Sequence, residues 1–89
     1  MTVRPAPDVL FRTFGEEAVL LHLPTERYFT LNDSALRIWD LLTSGEDAPA
    51  TARALAQEYD VDVETARSDI DSLMSQLQSL RLIVVDTPS

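Results

Sequence analysis

The chain has 89 residues, of which 45% are hydrophobic and 25% are charged, as expected for one small globular domain. It contains no cysteine and a single histidine, which excludes disulfides, thiolate metal sites and histidine-rich metal sites. Its net charge of −8, with arginine as the only basic residue type, disfavours unassisted binding to DNA, RNA or anionic membranes and favours basic partners.

The first residues, 1–8, contain two prolines and predict a flexible N-terminal arm. A folded domain is expected over residues 9–85, followed by a short C-terminal tail at 86–89. The N-terminus lacks the apolar core of a signal peptide, and no segment approaches the length that crosses a membrane. We therefore expect a cytoplasmic protein that does not act at a membrane.

Three strands are predicted in the first third of the chain, at residues 9–14, 18–23 and 28–31. Gly15 and Pro24 mark the turns between them, and turns this short imply antiparallel neighbours. The second strand is apolar on almost every position, which is typical of a central strand. The third strand is then expected at the edge of the sheet.

Three helices follow, each with apolar residues at a spacing that forms one stripe. Asn32 is the expected N-cap of the first, Pro49 suits the first turn of the second, and Asp62 is the expected N-cap of the third. The helices are predicted at 33–43, at 49–59 and from the Asp62 cap to about residue 80, with a terminal strand at 82–85. The fold class is α+β, a winged helix-turn-helix with a three-stranded antiparallel sheet, three helices and a short C-terminal strand.

No set of residues predicts catalysis. His22 stands alone, without a nucleophile, a second histidine or a metal-ligand cluster in its neighbourhood of the sequence. Asp60, Asp62 and Glu64 resemble part of a calcium loop but lack its glycine and closing glutamate, so helix capping explains them better. We expect neither an enzyme nor a bound cofactor or metal.

A winged helix could bind nucleic acid through its third helix, and this remains the competing interpretation, together with a protein-assembly module. The arginine and glutamine residues of that helix are offset by acidic ones, which argues against DNA. The residues that could contact DNA are Arg67, Gln76, Gln78 and Arg81, and the acidic residues that offset them are Glu64, Asp69 and Asp71. A free edge on the third strand could instead accept an extended peptide. Met74, at the flank of the third helix, either lines such a groove or fills the core.

In their order along the chain, several stretches resemble the PqqD-like family, the recognition elements of ribosomal-peptide maturation. They are VLL at 19–21, ERYFTLN at 26–32, ALRIWDLL at 35–42, YDVD at 59–62, ARSDI at 66–70 and LRLI at 80–83.

This resemblance implies a domain that binds the leader segment of a precursor peptide as an added strand beside the third strand, packed against the third helix. The peptide-binding residues that it implies are Tyr28, Phe29, Thr30, Leu31, Asp69, Ile70, Leu73, Met74 and Leu77.

Within the family, the chain is most similar to the stand-alone leader-binding proteins of lasso-peptide biosynthesis. The resemblance implies two partners: a basic leader peptide with tyrosine and proline anchors, and a separate transglutaminase-like cysteine protease that removes the leader. The alternative within the family is a pyrroloquinoline quinone-type peptide chaperone that works with a radical enzyme.

Overall fold

The computed structural model describes residues 2–86. Four strands precede three consecutive helices, and a fifth strand ends the described chain. The elements are β1 (Thr2–Pro5), β2 (Val9–Phe14), β3 (Glu17–His22), β4 (Arg27–Leu31), α1 (Asp33–Thr43), α2 (Ala48–Tyr59), α3 (Val63–Ser79) and β5 (Ile83–Asp86). The predicted α+β class is confirmed, with its three-stranded antiparallel sheet, three helices and short C-terminal strand.

The main sheet has the order β2-β3-β4, with both strand pairs antiparallel. Its middle is marked by Leu20 on β3, which lies opposite Phe11 on β2 and Phe29 on β4. The predictions of a central second strand and an edge third strand are therefore confirmed. Within residues 2–86, β4 pairs with β3 alone.

The core lies between one face of this sheet and the helices. Leu20 and Leu31 are fully buried, and the ring of Phe11 stacks on that of Trp39 with centroids 5.7 Å apart. From α3, residues at helical spacing complete the core, namely Ala66, Ile70, Leu73 and Leu77. Alternate residues of the strands point to the opposite face of the sheet, which no helix covers in its described part.

The helix starts follow local capping chemistry. Asn32 caps α1 as expected, because its side chain accepts a hydrogen bond from the backbone N–H of Ala35. Asp47 caps α2 in the same way through Ala50, so this helix begins one residue before the predicted proline. Asp62 precedes α3 but makes no side-chain cap hydrogen bond to the backbone.

The N-terminal segment differs from the expected flexible arm. Thr2–Pro5 form β1, which pairs antiparallel with β5. Val3 is buried in the core, and Arg4 donates to the carboxylate of Asp86 at 2.9 Å. Pro5 is tolerated because it lies at the end of the strand. β5 also includes Asp86, the first residue of the predicted tail, while 87–89 lie outside the described residues.

Candidate functional site

Strand β4 presents an edge without a partner in the described part of the chain. In an antiparallel strand, alternate residues direct their backbone N–H and C=O groups to each side, so every second residue of β4 faces this open edge. The side chains alternate as well, because Leu31 is buried and Phe29 half-buried, whereas Tyr28 and Thr30 are exposed. The edge thus combines free main-chain groups with one apolar face.

A groove of about 320 Å³ lies between β4 and α3. We call it the strand-helix groove, and it is lined by Glu17, Phe29, Thr30, Asn32, Ala35, Asp69, Ser72, Leu73 and Gln76. It brings together four of the residues predicted from the sequence, Phe29 and Thr30 on the strand and Asp69 and Leu73 on the helix. The groove runs beside the open edge, where an extended chain could pair with β4 and contact α3.

The other five predicted residues lie elsewhere. Leu31, Ile70 and Leu77 belong to the core, with exposed fractions of 0%, 1% and 2%. Met74 is half-buried against that core, which agrees with the interpretation that it fills the core. Tyr28 is 69% exposed and lies across from Leu21, on the sheet face that points away from the core.

Five groove residues were not predicted: Glu17, Asn32, Ala35, Ser72 and Gln76. The helical spacing of 69, 72, 73 and 76 is present in the sequence, but the apolar stripe beside it gives a stronger periodic signal. Asn32 was recognised only as a cap. Glu17 comes from the start of β3, and its place in the groove depends on strand pairing that the sequence pattern does not specify.

The groove continues into a second cavity of about 510 Å³ where the three helices meet. This junction pocket shares Asn32, Ala35, Asp69 and Leu73 with the groove. Its remaining lining residues are Ser34, Ile38, Leu55, Tyr59, Val61 and Ala66, most of them apolar. Groove and pocket together form one continuous depression, and each has both polar and apolar residues in its lining.

Charges near the depression are mainly negative. Glu17 and Asp69 line the groove, and no arginine lines either cavity in the part of the chain that the structure describes. At the rim of the junction pocket, partial burial and the carboxylate of Asp33 raise the pKa of Tyr59. The nearby Arg37 donates to Glu58 at 3.0 Å, linking α1 to α2, and this hydrogen bond raises the pKa of its guanidinium.

Other parts of the structure are weaker candidates for a functional site than the groove and the junction pocket. His22 is buried, with Nδ1 2.8 Å from the hydroxyl of Thr25. Among residues 2–86, no group of three or more acidic, histidine or cysteine side chains could hold a metal ion. A depression of about 890 Å³ follows α3 on its polar side, but all its lining residues belong to that one helix, so it is an open helix surface. None of the helices described here is long and apolar enough to cross a membrane.

Comparison with known proteins identifies the family. The profile described as Coenzyme PQQ synthesis protein D (PqqD) matches residues 17–83, from the start of β3 to the start of β5. The chain belongs to the PqqD family. No curated protein matches this PqqD-family chain.

Two solved structures resemble the chain over almost its whole length. TbiB1 in complex with the TbiA(beta) leader peptide is 31% identical, with a TM-score of 0.84 and coverage of 99% of this chain and 100% of that one. A lasso peptide synthetase B1 complexed with the leader peptide is 27% identical, with a TM-score of 0.88 and coverage of 96% and 100%. Both of these similar proteins bind a leader peptide.

Proposed function

We propose that this PqqD-family chain is a non-catalytic adaptor that binds the leader segment of a ribosomal precursor peptide. The observation that carries the proposal is the unpaired edge of β4 beside a groove lined by α3. The two leader-bound structures that resemble the chain support the same function.

The leader binds by strand addition. Its backbone pairs with the open edge of β4, and every second side chain faces α3, where Leu73 and Asp69 line the groove. Each added backbone hydrogen bond contributes about 0.5–1.5 kcal/mol net, so the few bonds along a five-residue strand give weak binding alone. Apolar anchors must supply the rest of the affinity.

The junction pocket is the place for one anchor. Its volume of about 510 Å³ and its apolar lining suit an aromatic side chain such as tyrosine. Glu17 and Asp69 favour a leader that carries basic residues, and the net charge of −8 attracts such a peptide from a distance. We expect this attraction to weaken as salt is added.

The bound leader is presented to a separate maturation enzyme in the cytoplasm. For a lasso-peptide pathway this is a transglutaminase-like cysteine protease that removes the leader. The alternative within the family, a pyrroloquinoline quinone-type chaperone for a radical enzyme, uses the same groove but a different partner. A nucleic-acid function competes less well, because arginine and acidic residues alternate along the exposed side of α3.

Fluorescence anisotropy tests the proposal. The protein is titrated into labelled TbiA(beta) leader peptide, a scrambled peptide of the same composition, and labelled duplex DNA, each at two salt concentrations. We expect saturable binding to the leader, weaker binding to the scrambled peptide and none to DNA. Binding to DNA without binding to the leader would overturn the proposed function.

A further inference from the structure

Asn32 lies at the point where β4 ends and α1 begins, and all its acceptors are occupied. Its backbone carbonyl accepts from the N–H of Leu36 at 2.8 Å, which starts the helix. Its side-chain Oδ1 accepts from the N–H of Ala35 at 2.9 Å and from the hydroxyl of Ser34 at 3.1 Å. Both oxygen atoms of Asn32 therefore act in capping the helix.

The nitrogen side of the same amide is different. Because the N–H of Ala35 needs an acceptor, the cap determines which end of the amide is oxygen, and Nδ2 points the other way with two donors. Asn32 is exposed, and its side chain makes no hydrogen bond through Nδ2 to an acceptor within residues 2–86, so these two donors face solvent. Asn32 lines both the strand-helix groove and the junction pocket, so it stands where the two cavities join.

A peptide that follows β4 loses its backbone partners at this point. Beyond Leu31 the chain turns into α1, where the backbone N–H groups of Ser34, Ala35 and Leu36 already donate to acceptors on Asp33 and Asn32. A carbonyl of the peptide that passes from the groove into the junction pocket would have no donor on the strand. The side-chain amide of Asn32 is a donor at that position.

We propose that Asn32 is a positioning residue for the leader, whose Nδ2 donates to a main-chain carbonyl as the peptide leaves β4 for the junction pocket. One side chain then does two things: its oxygen starts α1, and its nitrogen extends the hydrogen bonding of β4 beyond the strand. A main-chain carbonyl occurs in every leader, so this contact does not depend on leader sequence. The inference rests on the proposed function, because it concerns the same bound peptide.

Two substitutions separate the roles. Asn32→Asp and Asn32→Ser both keep a capping oxygen but remove the amide donor. We expect the melting temperature of each to stay close to wild type, while the affinity for labelled TbiA(beta) leader peptide falls about threefold to tenfold, the loss of one hydrogen bond. Asn32→Asp adds a negative charge and Asn32→Ser does not, so a fall in both variants is not an effect of charge.

A matched control replaces the cap of a helix start outside the groove. Asp47→Ser exchanges one capping residue for another at α2, where Asp47 accepts from Ala50 at 2.8 Å and lines neither cavity. We expect unchanged affinity in this variant. Equal losses of leader affinity in Asp47→Ser and Asn32→Ser would overturn the proposal. Both substitutions would then weaken binding by altering a helix cap, and not by removing a contact with the peptide.

An ester scan of the leader identifies the partner atom. In each peptide one backbone amide is replaced by an ester, whose carbonyl is a weaker acceptor. We expect one ester position to weaken binding to the wild type and to have no further effect on Asn32→Ser. Wild-type affinity in both Asn32 variants, or ester effects that are the same in wild type and variant at every position, would overturn the role of Asn32. Failure of the wild type to bind any of these peptides would instead overturn the proposed function, and this inference with it.

Discussion

Strand β4 and helix α3 form the two sides of the strand-helix groove, but they contribute different chemical groups to it. The strand offers main-chain N–H and C=O groups along an open edge, which any extended peptide can use. The helix offers side chains, Asp69, Ser72, Leu73 and Gln76, which are specific in charge and shape. Affinity common to all leaders should therefore come from β4, and discrimination between leaders from α3.

The two sides also differ in how they depend on the core. Most side chains of β4 can change without loss of its backbone groups, whereas α3 uses one stripe for the core and the adjacent stripe for the groove. Leu73 belongs to both stripes, because it is 8% exposed in the core and lines both cavities. Substitutions on α3 should thus separate into those that unfold the protein and those that alter binding.

The largest effect is expected from Leu77→Ala on the core side of α3. Leu77 is 2% exposed, and its truncation should lower the free energy of unfolding by about 2–5 kcal/mol, because it leaves a cavity in the core. Urea denaturation measures this loss. Gln76→Ala, one residue earlier and exposed, should change stability by less than about 0.5 kcal/mol. A mild effect of Leu77→Ala would mean that α3 is not divided as described.

Next in size is Thr30→Pro on β4, which should weaken leader binding at least about tenfold, since proline removes a backbone donor and distorts the edge. Anisotropy with labelled TbiA(beta) leader peptide measures the change. Thr30 lies opposite Val19, and Thr13 on β2 lies opposite the adjacent Ala18. Successive residues of β3 bond alternately to β2 and β4, so the two threonines are equivalent in their backbone pairing.

Thr13→Pro is therefore the matched control, on the opposite edge of the same sheet. It should reduce stability as much as Thr30→Pro and leave leader affinity close to wild type. If the two variants bind equally well, strand addition at β4 is wrong.

A smaller effect is expected from Asp69→Asn on the helix side. Loss of this carboxylate should weaken binding of a basic leader about twofold to fivefold at low salt, and the difference should shrink at high salt, because exposed charges are screened. Asp71→Asn, on the polar side of the same helix, removes the same charge outside the groove and should have less effect. Identical losses in both variants would mean that only the net charge matters.

The smallest effect is expected from Tyr28→Ser. The sequence predicts Tyr28 as a peptide-binding residue, but its side chain lies on the face of the sheet opposite the core, outside the groove. Leader affinity should stay within about twofold of wild type, because the substitution leaves the backbone of β4 and every residue that lines the groove in place. A large loss in the anisotropy titration would show that the leader also contacts that face.

Local patterns were sufficient for most of the fold. The turn at Gly15, the cap at Asn32 and the stripe on α3 each depend on neighbouring residues, and all three were predicted from the sequence. β1 was missed because a single buried valine between polar residues and prolines gives no periodic signal. Its pairing depends on β5, more than 75 residues later in the chain.

The site was predicted less completely, for a similar reason. The edge position of β4 was expected from strand order, and the family resemblance named Phe29 and Thr30, which do line the groove. On α3 the apolar stripe points to the core, and the family resemblance assigned Ile70 and Leu77 to the peptide although both are buried in that core. Which side chains flank a stripe and face a groove depends on how the helix is rotated against the sheet, and helical spacing does not specify that rotation.

The double position of Leu73 has a consequence for how the protein can change. A residue that packs in the core and also lines the groove cannot be exchanged to suit a new peptide without altering stability. Asp69, Ser72 and Gln76 are exposed and carry no such constraint. Retargeting the domain to a different leader, by natural drift or by directed evolution, should therefore proceed through these three positions while Leu73 stays the same.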